Sequence, residues 1–217
     1  MQIAEFFNSQ APRAESYKTS TIYRMGSNCD GAGSLDGPEQ RLNIYALVIY
    51  IPAPLGVFLD DLRRELVPTY KPRAHVSVLP PRPLTGEWPS AVETGRNLIE
   101  SWSPFNIELA EIKVFPVTNV IYLEVGEGAR ELTAMNAAMN AGGLRFDEPF
   151  EYHPHVTLAQ EVTHDQVLHL ENLAKQRWAE YRGDRSFRAE RAAFVQNTTH
   201  NAWLDLAEYS LGAVAVP

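Results

Sequence analysis

The chain has 217 residues, 45% of them hydrophobic and 21% charged, with a formal net charge of −8 and a pI near 5.3. That length suffices for a sizeable core, and the composition is that of an ordinary folded domain. The acidic balance argues against an extended surface for nucleic-acid backbone, which needs clustered Lys and Arg, but leaves room for one locally basic pocket.

Cys29 is the only cysteine, so no intramolecular disulfide can form. Met1–Asn8 lacks a basic segment followed by an apolar run, and no secretory signal is expected. The apolar stretch Ile44–Leu59 is interrupted by Pro52 and Pro54 and is too short to span a bilayer. The expectation is a monomeric cytoplasmic protein that does not engage a membrane.

Residues 1–40 read as a flexible leader, because Gly26–Gln40 (GSNCDGAGSLDGPEQ) is almost free of apolar side chains. A single bilobal domain is expected over 41–217. It opens with a β-rich run, Asn43–Ile51, stopped by Pro52. Leu55, Phe58, Leu59, Leu62 and Leu66 then follow the spacing of an amphipathic helix. A strand over Ala74–Leu79 is expected to end at Pro80-Pro81. Ser90-x-x-Glu93 predicts a capping box opening a helix to about Trp102. Strands follow over Phe105–Val114 and Val120–Val125, and a helix marked by Leu132, Met135 and Met139 ends at Gly142-Gly143.

The second half repeats this order. A strand over His155–Ala159 precedes a second capping box, Thr163-x-x-Gln166, and a helix running to about Gly183. Two strands, Phe187–Val195 and Ala202–Tyr209, flank a turn at Asn197–Asn201.

Two tetrapeptides stand at corresponding places in this repeat: His75-Val76-Ser77-Val78 and His155-Val156-Thr157-Leu158, 80 residues apart. In a strand, side chains two apart share a face, so each histidine points the same way as its hydroxyl. The intervening valines and the following Val78 and Leu158 point into a core. A lone His-x-Ser/Thr is most often a structural histidine. Ile121–Val125 and Ala202–Leu206 are also alike, at an offset of 81, which indicates an internal duplication. A pseudo-two-fold axis would then bring both motifs to one cleft.

Two imidazoles and two hydroxyls suit acid–base chemistry on a phosphate ester without a metal or other cofactor. A histidine titrating near 6.5 can give or take a proton at neutral pH. His75 and His155 are the candidate acid–base pair. Ser77 and Thr157 are the candidate donors to the non-bridging phosphate oxygens, where charge builds up. One alternative is a metal-dependent hydrolase using His153 and His155 with Asp147, Glu148 and Glu151. Another is a binding module for a nucleotide or RNA end that lacks catalysis. Arg82 could reach a phosphate but reads as solvated. Tyr45 and Tyr152 could stack on a base but read as packing residues. His164, His169 and His200 receive no role.

His75, Ser77, His155 and Thr157, with Tyr45–Pro52 before a helix and Leu79-Pro80-Pro81-Arg82 after the first motif, resemble the 2H phosphoesterase superfamily. Within it the likeness is to the bacterial 2′-5′ RNA ligase-like or cyclic phosphodiesterase-like proteins. The resemblance covers about Arg41–Pro217. It implies an α+β fold of two pseudo-symmetric lobes, each an antiparallel sheet with outer helices, flanking a central cleft. It also implies opening of 2′,3′-cyclic phosphates of nucleotides or RNA ends, hydrolysis of related cyclic or 2′-5′ phosphodiesters, or 2′-5′ ligation in reverse. On this likeness His155 would be the base. The sequence departs from the family in carrying Ser77 where Thr is more usual.

Overall fold

The computed structural model describes residues 38–212. The expected leader therefore lies outside the described residues except for its last three. Of these, Gln40 accepts a backbone hydrogen bond from Thr199, and Glu39 accepts one from the Thr198 hydroxyl.

The first strand, β1 (Arg41–Tyr50), is buried without alternation from Tyr45 to Ile49: Tyr45, Leu47 and Ile49 belong to the main core, and on the other face the small Ala46 and Val48 pack with Ala193, Val195, Tyr50 and Trp203. Helix α1 (Leu55–Leu66) buries the stripe foreseen from its spacing, Leu55, Leu59, Leu62 and Leu66, and also Arg63. The next strand, β2 (His75–Arg82), runs through Pro80-Pro81 instead of ending there. It is an edge strand, so prolines can be placed without costing a ladder bond on both sides.

Helix α2 (Trp88–Ile99) begins two residues before Ser90, with extended Glu87 as its N-cap and Pro89 in the first turn, where a missing N–H costs nothing. The expected capping box there is not the helix start. Strands β3 (Phe105–Val114) and β4 (Ile121–Val125), helix α3 (Ala129–Met139) and strand β5 (His155–Ala159) stand where expected. Helix α4 (His164–Glu180) does open on its box, the Gln166 side chain accepting the Thr163 N–H at 3.3 Å.

The expected strand Phe187–Val195 is two strands, β6 (Ser186–Ala189) and β7 (Arg191–Thr198), followed by β8 (Trp203–Ser210). Glu190 and Arg191 are both exposed. That breaks the period-two alternation, and the chain changes sheets there.

Every strand pairing is antiparallel. One sheet has the order β2-β1-β7-β8 and the other β5-β4-β3-β6. Each sheet thus takes strands from both halves of the sequence. The structural equivalents are β1–β2 and β4–β5, each a motif strand with its internal neighbour. The β4/β8 likeness seen in the sequence is not a positional one, since β4 is internal and β8 is an edge strand.

The two motif strands, β2 and β5, are both sheet edges, and they lie against each other where the sheets meet. Helix α1 packs on β5 and helix α3 on β2, so each motif strand is backed by the other half's helix. A single apolar core runs behind both, including Val76, Val78, Val156, Leu158, Leu132 and Met135. Among the described residues, no helix is long and apolar enough to cross a membrane.

Candidate active site

The two motifs show the same burial along the strand. His75, Ser77, His155 and Thr157 are half-buried, whereas Val76, Val78, Val156 and Leu158 are fully buried. The alternation follows from strand geometry: the core face takes the apolar side chains and the opposite face takes imidazole and hydroxyl.

Each imidazole is held in the same way. His75 Nδ1 lies 2.6 Å from the carbonyl of Arg73, and His155 Nδ1 lies 2.6 Å from the carbonyl of His153. A carbonyl can only accept, so Nδ1 carries the proton and Nε2 presents a free lone pair.

His75 and Ser77 open into a shallow depression on the first sheet. Small residues of β1 and β7, Ala46, Val48 and Val195, form its floor, and Tyr50, Arg73 and Trp203 form its walls. Tyr50 stands opposite His75 in the β1–β2 ladder, with its ring edge-on to the imidazole at 6.4 Å. The Arg73 guanidinium lies 3.6 Å above the Tyr50 ring. The Tyr50 hydroxyl donates to Asp205 at 2.5 Å, and Arg73 sits 3.7 Å from the same carboxylate.

His155 and Thr157 do not line that depression. Their strand neighbours are Glu124 and Tyr122, equivalent to Tyr50 and Val48 on the other side. Tyr122 stacks on Phe115 at 3.9 Å, and both rings stand edge-on to His155, at 5.4 and 5.1 Å. The first motif therefore faces an open trough, and the second faces a filled aromatic wall.

Both histidines are harder to protonate than a free imidazole. Burial is the main cause for His75, and the Arg63 guanidinium adds to it, so that its pKa is pushed down to about 4. His155 and Arg73 act on it in the same direction. His155 is lowered chiefly by burial, in keeping with its aromatic wall. Arg63 is 1% exposed with no hydrogen bond from its guanidinium. It lies 3.6 Å from Asp60 and 4.1 Å from the Tyr70 ring.

The other candidates have different surroundings from those expected. Arg82 is not solvated: it is 2% exposed, paired with Glu148, and donates to Asn140 Oδ1 at 2.7 Å and the Leu144 carbonyl at 3.1 Å. The carboxylates expected near His153 go elsewhere, Glu148 to Arg82 and Asp147 toward Arg145. The acid nearest His153 is Glu124, at 3.4 Å, itself paired with Lys113. Among the described residues, no three His, Cys, Asp or Glu side chains gather at metal-binding spacing. Tyr45 is a packing residue, stacked on Phe194 at 5.6 Å and bonded to Gln196. His164 and His169 are exposed on α4, and His200 lies in the β7–β8 turn.

Sequence reasoning passed over Tyr50, Arg73, Trp203, Phe115 and Tyr122. Arg73 and His153 had a visible signal, both standing two residues before a motif histidine. The aromatic walls had none, because they depend on strand register.

Residues 51–201 match the 2′-5′ RNA ligase superfamily. The chain belongs to this superfamily. A relative from Oceanobacillus iheyensis, named "Putative phosphoesterase OB1230", is 29% identical over 131 residues, covering 56% of this chain and 73% of the relative. A like-named protein of Bacillus pumilus is 30% identical over 125 residues, covering 56% and 72%. The fold is shared with E. coli LigT solved with 3′-AMP, at a TM-score of 0.54 and 15% identity over 80% of this chain and 98% of LigT. LigT solved with NADP+ gives 0.53 and 14%, over 80% and 99%. The 2′-5′ RNA ligase superfamily fold, two antiparallel four-stranded sheets with helices, is the α+β bilobal architecture of a 2H phosphoesterase.

Proposed function

We propose that this 2H phosphoesterase opens 2′,3′-cyclic phosphates, or related cyclic or 2′-5′ phosphodiesters, of nucleotides or RNA ends, using His75 and His155 as a metal-independent acid–base pair. One observation carries the reading. Both imidazoles give Nδ1–H to a carbonyl two residues back, at the same 2.6 Å, on strands that lie against each other. Two Nε2 atoms prepared alike can act from either side of one phosphorus.

In hydrolysis one imidazole takes a proton from water as the water oxygen bonds to phosphorus. The other, protonated, gives its proton to the ribose oxygen as that P–O bond breaks. We assign the base to His75, because Arg63 and Arg73 add positive charge to its surroundings and disfavour a second one on the ring. This reverses the assignment suggested by resemblance. His155, lowered by burial without a nearby guanidinium, is the acid once a phosphate anion is bound. Ser77 and Thr157 donate to the non-bridging oxygens. Such donors and each proton transfer are worth about 10²- to 10⁴-fold in rate.

The trough walled by Tyr50, Arg73 and Trp203 is suited to the nucleoside, since flat apolar walls and a guanidinium favour a stacked base. The 3′-AMP and NADP+ complexes of LigT support a nucleotide ligand. Incubation with 2′,3′-cyclic nucleotides, RNA bearing a cyclic end and 2′-5′ dinucleotides, in excess EDTA, tests the proposal. Ring opening that needs both histidines is expected; turnover undiminished in His75→Ala or His155→Ala overturns it.

A further inference from the structure

No backbone ladder joins β2 to β5 among the described residues, although the two strands lie against each other. The separation of the two motifs is therefore set by side-chain bridges and packing across the seam. Two bridges reach the first motif from the segments that lead into the second. The Tyr152 hydroxyl donates to the Ser77 carbonyl at 2.7 Å, and the Asn136 amide donates to the Val78 carbonyl at 2.8 Å. Tyr152 stands three residues before His155, and Asn136 lies on α3, between β4 and β5. Both are secluded: Asn136 is 9% exposed, and the Tyr152 ring packs on the core. Burial also raises the Tyr152 pKa, so its hydroxyl remains a donor across the working range.

We infer that Tyr152 is a positioning residue: by gripping the Ser77 carbonyl it sets the spacing of His75 from His155, with Asn136 as the second grip on the same strand. The inference rests on the reading of the two histidines as the acid–base pair. In-line displacement needs both imidazoles within hydrogen-bonding reach of one phosphate, where an error of about 1 Å can cost about 10²-fold. A bridge anchored within one motif and three residues from the other acts directly on that distance. Tyr152 thus enters the chemistry through geometry, without stacking on a base.

The test is Tyr152→Phe, which keeps the ring and removes the grip. With 2′,3′-cyclic AMP, kcat is expected to fall about tenfold or more, with a smaller change in KM. In a His75→Ala background the same substitution is expected to add no further loss, because there is no longer a base to misplace. A lowered melting temperature with kcat unchanged would mark a purely structural role and overturn the inference. If His75→Ala keeps full turnover, it is the acid–base reading that fails. A readout independent of turnover comes from NMR titration of the His75 ring. Removing the second imidazole by His155→Gln should raise the His75 midpoint, and by less when Tyr152→Phe is present; an equal rise in both backgrounds counts against the grip.

Discussion

His75 and His155 are held identically, each giving its Nδ1 proton to the carbonyl two residues earlier, Arg73 in one case and His153 in the other. The arrangement comes from strand entry rather than from a dedicated orienting carboxylate. Just ahead of β2 and β5 the chain places the carbonyl at −2 beside the ring. Both imidazoles thereby acquire the same tautomer, and what differs between them is charge and enclosure.

The first consequence concerns the histidines themselves. His75→Ala and His155→Ala are each expected to lower kcat on 2′,3′-cyclic AMP by at least about 10²-fold. Both side chains lie on the half-buried face, away from the core, so the far-ultraviolet circular dichroism should not change. Removing either hydroxyl, by Ser77→Ala or Thr157→Val, should cost about tenfold or more in kcat/KM through lost donation to the phosphate oxygens.

The pH dependence follows from the direction of both shifts. In the free protein both imidazoles titrate below 6.5, so at pH 7 both are mostly neutral, whereas the reaction needs one of them charged. As pH falls from 8, kcat/KM should rise, and it should fall again when His75 itself protonates near 4. A kcat/KM maximum above pH 7.5 would contradict the assignment.

Stability follows the same linkage. The folded values lie below the unfolded value of about 6.5, so the unfolded chain binds these protons first. The contribution is complete above 6.5 and is lost as pH falls toward 4. Urea midpoints at pH 7.5 and 5.5 should differ less in His75→Gln than in the unsubstituted protein.

Arg82 is predicted to be structural. Its buried guanidinium pairs with Glu148 and ties the end of β2 to the segment after α3. Arg82→Met strands a carboxylate whose pKa burial already raises, and should destabilise the fold by about 3–5 kcal/mol in urea unfolding. Adding Glu148→Leu should restore much of the loss. Weakened phosphate binding at unchanged stability would return Arg82 to the role of a phosphate ligand.

Trp203 supplies a test of the trough. Trp203→Ala should raise KM for 2′,3′-cyclic AMP about tenfold with a smaller effect on kcat, since base stacking contributes about 1–3 kcal/mol. An unaltered KM would place the nucleoside elsewhere.

The sequence by itself determined the order of most elements and the two motifs, but not every boundary, since the expected strand Phe187–Val195 is two. Leucine spacing specified α1, and the apolar partners Val76, Val78, Val156 and Leu158 specified which way each histidine faces. Both signals are local, since helix and strand periods fix side-chain direction without any distant contact. Only the tertiary structure decided how the halves interleave. The equivalence of β1–β2 with β4–β5, the sheet change at Glu190 and the burial of Arg82 all depend on partners far along the chain. So do the walls around the motifs: strand register sets Tyr50 opposite His75 and Tyr122 opposite Thr157, from where the Tyr122 ring reaches His155 edge-on. That register is set by which faces the whole core can bury, and a linear reading of residues does not contain it.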